Sequence, residues 1–249
     1  LLCLETNQVF GAEALIRWYD KDMGEVSPAK FIPIAEESGL IVAIGNWVIH
    51  TAIAQAAAWN KDGRHLSISV NVSALQFQQA NFVDNLANAL DDAHLDPSCI
   101  ALELTESILI RDVEETLKKL NAIAKLGVKM SIDDFGTGYS SLSYLKRFPI
   151  NKLKIDRSFV MNLTKDESDI AIVTAIISLA HALKLKVIAE GVETQEQKDL
   201  LCALNCNEIQ GFLIAKALNP HDFEARFLQR DTALEQLEQL ASSKQQVTK

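Results

Sequence analysis

Asp133 and Asp134 are adjacent carboxylates that close an apolar-alternating run, Val128, Met130 and Ile132. Two such groups side by side repel unless a cation sits between them or one is protonated. Gly136 and Gly138 follow at once and permit a tight turn with close backbone approach to a ligand. Ser140-Ser141 then opens a helical pattern. Alone, the segment reads equally well as an ordinary strand, solvated acidic turn and helix. Recurrence tips the balance. Other strand-like runs carry a polar residue at or near their downstream ends, namely Glu13, Asn71, Glu103, Lys154, Glu190 and Gln210.

Carboxylate and amide oxygens without His or Cys select hard cations such as Mg²⁺ or Mn²⁺. Asp133-Asp134 is well placed to share two of them, the usual arrangement for attacking a phosphodiester with an activated water. Within such a set Lys154 is a candidate to position that water or to steady developing charge. Alone it also reads as a rim salt bridge, and a barrel lyase with Lys154 as a Schiff base is a further reading. Arg17 follows Glu13 by four residues and would share its strand face, where it could give a phosphate two hydrogen bonds. The Gly136-Thr137-Gly138 turn has Ser141 in place of a third glycine, so it is not a dinucleotide fingerprint. His50, His65, His94, His181 and His221 lack the paired spacing of a His metal site.

The elements that must position these residues follow from periodicity. Residues 1–5 and 9–18 read as a hairpin, and residues 29–38 and 45–60 as helices. Strands are then expected at 66–71, 99–104, 128–133, 153–155, 187–190 and 208–212. They alternate with helices at 82–95, 113–126, 140–147, 166–183 and 194–204, with Asn205 as a left-handed cap. Residues 220–240 read as helical and 242–249 as a frayed polar tail. Eight strands in this length suit a closed (β/α)8 barrel better than an open doubly wound sheet, which is the alternative. Strands joined by a tight turn run antiparallel, so the barrel should have one antiparallel strand. In such a barrel the downstream strand ends converge on one mouth.

Bulk properties narrow the partners. The chain has 249 residues, 48% hydrophobic, with formal charge −9. That acidity argues against a nucleic-acid polymer, whose affinity comes from Lys and Arg on phosphates. It still allows a small phosphorylated ligand if a metal supplies positive charge. Cys3, Cys99, Cys202 and Cys206 fit no zinc spacing and read as buried, reduced thiols of a cytoplasmic protein. No apolar run reaches the roughly 18 residues of a membrane span, the longest being 170–183, so no membrane contact is expected. There is no signal-peptide pattern, and the chain begins on Leu1 rather than Met.

Taken together, seven motifs resemble the EAL-domain phosphodiesterases of bacterial cyclic di-GMP signalling. They are G-A-E-A-L-I-R-W at 11–18, V-N-V-S-A at 70–74, E-L-T-E-S at 103–107, D-D-F-G-T-G-Y-S-S-L at 133–142, L-K-I-D-R-S-F-V at 153–160, A-E-G-V-E-T at 189–194 and Q-G at 210–211. The resemblance runs from about residue 1 to 227, leaving 228–249 as a tail. It implies a barrel with one antiparallel strand that hydrolyses cyclic di-GMP to linear pGpG with Mg²⁺ or Mn²⁺ at two sites.

Carried over position by position, Glu13, Asn71, Glu103 and Asp133 resemble the ligands of one metal. Asp133, Asp134 and Glu190 resemble those of the second and its water, with Glu190 also a base. Lys154 resembles the water-positioning lysine and Glu106 the glutamate that holds the 134–141 loop. Arg17 resembles the phosphate-contacting arginine. Leu15, Gln210, Glu193 and Asp156 resemble substrate-side and supporting positions. The family also implies a homodimer and an upstream sensory or GGDEF-type domain. Some members lack the acidic set and only bind nucleotide or protein, which is the alternative reading. This chain departs from the pattern in starting after the usual Tyr-Gln-Pro of the first strand, so that strand is expected to be truncated. It also departs at Asn205, where Gly is common, and at Ala217, where Pro is frequent.

Overall fold

Period-two alternation builds the sheet. In S-I-S-V-N-V and I-A-L-E-L-T the apolar residues Ile68, Val70, Ile100, Leu102 and Leu104 are almost wholly buried, and polar residues occupy the opposite face. The structure, a computed structural model, describes residues 1–110, 112–136 and 145–228. It forms two compact units, Leu1–Ile214 and Ala215–Lys249.

In the first unit eight strands form one sheet. They are β1 (Leu2–Cys3), β2 (Gly11–Ala14), β5 (Ser67–Val72), β6 (Ile100–Thr105), β7 (Lys129–Phe135), β8 (Lys152–Ile155), β9 (Lys186–Ala189) and β10 (Glu208–Ile209). Their order is β1-β10-β9-β8-β7-β6-β5-β2, every pairing parallel except β1 with β10. This is the (β/α)8-type barrel with one antiparallel strand. The reversed strand is placed differently from the sequence expectation. β1 ladders mainly with β10, Leu2 opposite Ile209. Toward β2 it makes only the Leu2–Val9 bridge and hydrogen bonds such as Phe10 N–H to Leu1 O, 3.2 Å. β1 therefore nearly closes the barrel, lying between β10 and β2. A short hairpin absent from the sequence reading, β3 (Trp18–Asp20) with β4 (Gly24–Val26), stands outside this sheet.

Helices cover the outside, and several of them start on side-chain caps. The helix Val113–Leu126 starts where Asp112 accepts the Glu115 N–H at 3.1 Å. The helix Gln195–Ala203 begins on a capping box of Thr194 and Gln197, and Asn205 after it is left-handed at φ 62° as expected. Short helices at Ala74–Gln78, Glu106–Ile110 and Arg157–Met161 are too brief for a periodic signal. The expected 140–147 helix lies largely outside the described residues. The helix Ile41–Trp59 is 19 residues long and, by length and composition, apolar enough to cross a membrane. Asn46, His50, Thr51 and Gln55 interrupt it, so it holds no unbroken apolar run of that length. Ile49, Ala52, Ile53, Ala56 and Trp59 of that helix are buried within the unit. All four cysteines are free, but only Cys99 and Cys206 are buried; Cys202 is exposed.

The second unit is described to Leu228. Asn219 caps the helical turn Pro220–Phe223 through the Asp222 N–H, and a π-type turn, Glu224–Leu228, follows. The remainder of the expected 220–240 helix and the 242–249 tail lie outside the described residues.

Candidate active site

Neighbouring strands in register bring the chemistry to one rim. Asn71 on β5 lies beside Glu103 on β6, and Thr105 lies beside Asp133 on β7. On β7 the regular strand expected to stop at Asp133 runs on through a bulge. Ile132 pairs with Leu153 and Phe135 with Ile155, so Asp133 and Asp134 together oppose the single residue Lys154. Successive residues of a flat strand would point to opposite faces. The bulge and a left-handed Asp134, φ 52°, bring both carboxylates to one side. A non-glycine residue in that region costs about 1–3 kcal/mol, a strain typical of functional sites.

The acids meet around one lysine. Lys154 and Glu103 are each 1% exposed and share a very short hydrogen bond. Lys154 Nζ also lies 2.6 Å from Glu190 Oε1, 3.0 Å from Asp133 Oδ1 and 4.0 Å from Glu13 Oε2. Oxygens of Glu13, Glu103 and Glu190 come within 4.8 Å of one another, and so do those of Asp133, Asp134 and Glu190. Glu190 therefore belongs to both groups. Asn71 Nδ2 donates to Glu13 Oε1 at 2.6 Å, and Gln210 Nε2 to Glu13 Oε2 at 2.5 Å.

Five carboxylates against one ammonium leave a formal charge of −4. Burial, opposed by Lys154, pushes Glu103 up to about 8. Burial likewise raises Glu190 to about 7, again against Lys154, with Asp133 adding to the rise. Asp134 is raised by burial and by the charges of Asp133 and Asp156. Burial would lower Lys154, but Glu103, Glu13, Glu190 and Asp133 outweigh it and hold the ammonium well above its ordinary value. A lysine so held is a poor Schiff-base nucleophile, which counts against the lyase reading. Glu103 Oε1 and Gln210 Oε1 are buried without a hydrogen-bond partner. Orphaned oxygens in an over-acidic, amide-flanked cluster fit a hard divalent cation, and these acidic groups could hold one.

The remaining expected residues divide. Glu106, 6% exposed, accepts the Gly136 N–H at 2.9 Å; residues 137–144 of the loop lie outside the described residues. Leu15, 47% exposed, lines a cleft of about 420 Å³ that also touches Asn71, Asp133 and Asp134. Arg17 is not on the Glu13 face of a strand, because β2 ends at Ala14. Its Nη1 donates to Ile16 O at 2.9 Å and its Nε lies 3.8 Å from Glu25. Asp156 caps the helix Arg157–Met161 by accepting the Ser158 N–H at 2.9 Å; despite burial, this and the Ser158 hydroxyl lower its pKa. Glu193 stands off the acid cluster and pairs with Arg157 at 2.8 Å.

Residues 2–217 match the model of the EAL domain. The chain belongs to the EAL-domain family. Over 212 residues it is 49% identical to the bifunctional diguanylate cyclase/cyclic di-GMP phosphodiesterase MucR of Pseudomonas aeruginosa, covering 84% of this chain and 31% of MucR. It is 42% identical over 226 residues to the cyclic di-GMP phosphodiesterase PdeR of Escherichia coli, covering 90% of this chain and 34% of PdeR. The chain thus spans about a third of the length of these curated relatives. Among solved structures, the PaMucR phosphodiesterase in complex with c-di-GMP aligns with a TM-score of 0.85 at 46% identity, covering 89% of this chain and 90% of that one.

Two residues of this EAL barrel escaped the sequence reading. Arg157 sat inside the 153–160 motif without a role, and Gln197 is a buried polar residue beneath the Glu190–Glu193 turn. The Thr194-x-x-Gln197 capping-box spacing was the one available signal for Gln197.

Proposed function

We propose that this chain hydrolyses cyclic di-GMP to linear pGpG in a reaction that depends on Mg²⁺ or Mn²⁺ at two sites. The convergence of Glu13, Glu103, Asp133, Asp134 and Glu190 on the buried Lys154, in an EAL-family barrel, carries this reading. Divalent cations bound there supply charge neutralisation at the phosphate and activation of the attacking water. Glu13, Asn71, Glu103 and Asp133 would hold one, and Asp133, Asp134 and Glu190 the other. Glu190, 2.6 Å from Lys154, stands where it would accept the proton of the water as its oxygen attacks phosphorus. The P–O3′ bond breaks, and the 3′ oxygen leaves as a hydroxyl by taking a proton from solvent, to which Glu190 releases the one it accepted. Lys154 stays charged and orients the water against Glu190 and Asp133.

The adjoining cleft supports a nucleotide substrate. Its walls of Leu15, Ile16, Ile32, Ile41, Ile44 and Val48 suit the flat faces of a purine base, next to acids that would sit at the phosphate. Arg17 would exchange its long, exposed contact with Glu25 for a substrate phosphate, since such a surface pair holds it only weakly. Residues 1–227 are taken as the catalytic domain and 228–249 as a tail. The domain is placed in the cytoplasm, as a homodimer following an upstream sensory or GGDEF-type domain.

Purified chain with Mn²⁺ should convert cyclic di-GMP to pGpG, resolved by chromatography, and a chelator should stop it. Tight nucleotide binding by calorimetry with no turnover in Mn²⁺ or Mg²⁺ would defeat the enzyme reading in favour of a binding module.

A further inference from the structure

We propose that Arg157 is a positioning residue for Glu190, fixing the turn from which that carboxylate enters the acid cluster. The inference rests on the metal-dependent reading above and adds a residue to which that reading gives no role. Glu190 follows β9 directly, and its N–H donates to Ile155 O at 3.1 Å. Beyond it the chain turns through Gly191 at φ 69°. A Cβ at Gly191 would lie 2.2 Å from Arg157 Cγ and 2.8 Å from Cδ. The aliphatic stem of Arg157 therefore occupies the space a side chain would need and lies across the turn. Its guanidinium Nη2 then reaches Glu193 Oε1 at 2.8 Å, on the far side of the same turn.

The other end of that five-residue helix holds the turn as well. Gln197 Oε1 accepts the N–H groups of Glu193 and Thr194 at 2.8 and 3.0 Å, while its Nε2 donates to Val160 O at 3.0 Å. Helix Arg157–Met161 thus grips residues 190–194 at both its ends. Directly before it, Asp156 faces Asp134, and two residues earlier Lys154 contacts Glu190 itself. One continuous segment, 154–157, touches both outer carboxylates of the Asp133–Asp134–Glu190 group. Ligand-orienting partners of this kind tune affinity for a cation without touching it. The ion pair is half exposed, at 52% and 42%, and exposed pairs contribute little to stability. Variants at Arg157 should therefore fold.

The test measures Mn²⁺ affinity by paramagnetic resonance titration, kcat and KM for cyclic di-GMP, and thermal unfolding. It compares the wild-type chain, Arg157→Ala, Arg157→Lys and the double variant Arg157→Ala/Glu193→Ala. Arg157→Ala should weaken Mn²⁺ binding about tenfold or more and lower kcat by about 10- to 100-fold, with KM changed less than about threefold. Arg157→Lys keeps the stem and the charge and should recover most of both losses. The double variant should be no worse than Arg157→Ala, because the two side chains act as one unit. Wild-type Mn²⁺ affinity and kcat in Arg157→Ala, with only a lower melting temperature, would overturn the proposal. A change confined to KM would also overturn it, since that marks a substrate contact. If the wild type binds Mn²⁺ without turnover, the phosphodiesterase reading fails while the Mn²⁺ ratio still decides the role of Arg157. No Mn²⁺ binding by the wild type would overturn both.

Discussion

At the N-terminal rim of the barrel, Glu208 is 3% exposed and receives Lys152 at 2.5 Å and Lys186 at 3.5 Å. The Lys152 ammonium also lies 4.5 Å from the centre of the Phe10 ring. At the C-terminal rim the proportions are reversed, and among the described residues one ammonium, that of Lys154, is set against five carboxylates. Both sets start from the same device, polar residues brought together at one end of neighbouring strands. At the first rim the buried acid has its partners within the chain. At the second, three buried oxygens among the described residues, of Glu103, Glu106 and Gln210, lack a hydrogen-bond partner, and three carboxylates, Glu103, Glu190 and Asp134, have raised pKa values. Buried charge that is balanced holds a fold in register; buried charge left in excess prepares a place for a cation.

Breaking each rim in turn should separate activity from stability. Asp133→Asn removes one repelling charge and one ligand. Hydrolysis should fall by about a thousandfold or more, while the metal-free melting temperature stays level or rises. Glu208→Gln should do the reverse. Stranding the largely buried Lys152 over an uncharged amide should cost about 3 kcal/mol, read as a drop of about 6–12 °C in melting temperature. Its kcat should remain within about twofold of wild type, because Glu208 lies at the opposite end of the strands. A large kcat loss in Glu208→Gln without destabilisation would dissolve the contrast.

A smaller effect concerns pH. Glu103 and Glu190 are raised from 4.5 to about 8 and about 7, so around neutrality the folded chain holds more protons than the unfolded one. Their contribution to stability is complete below about pH 4.5 and is lost as pH rises through 7 to 8. Lys154, raised above 10.5, stays charged throughout this window. Melting of the metal-free chain should fall by roughly 4 °C between pH 5.5 and 8, and saturating Mn²⁺ should restore it at pH 8. A flat metal-free profile would mean the acid rim is already neutralised within the chain.

Most of this arrangement could be read from the sequence, because a strand carries its own period. Asn71, Glu103 and Lys154 sit where alternation with buried Val70, Leu102 and Leu153 puts them. What could not be read depends on distant partners. The β7 bulge exists only against Lys154 of β8, so the sequence pattern ended that strand at Asp133. β1 looked like the neighbour of β2, whereas its ladder is with β10, some 200 residues away along the chain. Arg17 was assigned to the Glu13 face on the premise of a strand that in fact ends at Ala14. Arg157 and Gln197 act through the shape of a turn, and a turn leaves no periodic trace in the residues that grip it.

Whether the acidic rim holds cations is decided most directly by counting Mn²⁺ ions bound at equilibrium, using calorimetry on the metal-stripped chain at pH 8. The account predicts two saturable sites per chain, at least one of them lost in Asp133→Asn and both kept in Glu208→Gln. A wild-type chain that takes up no Mn²⁺ at millimolar concentration, or takes up as much after Asp133→Asn as before, would contradict it.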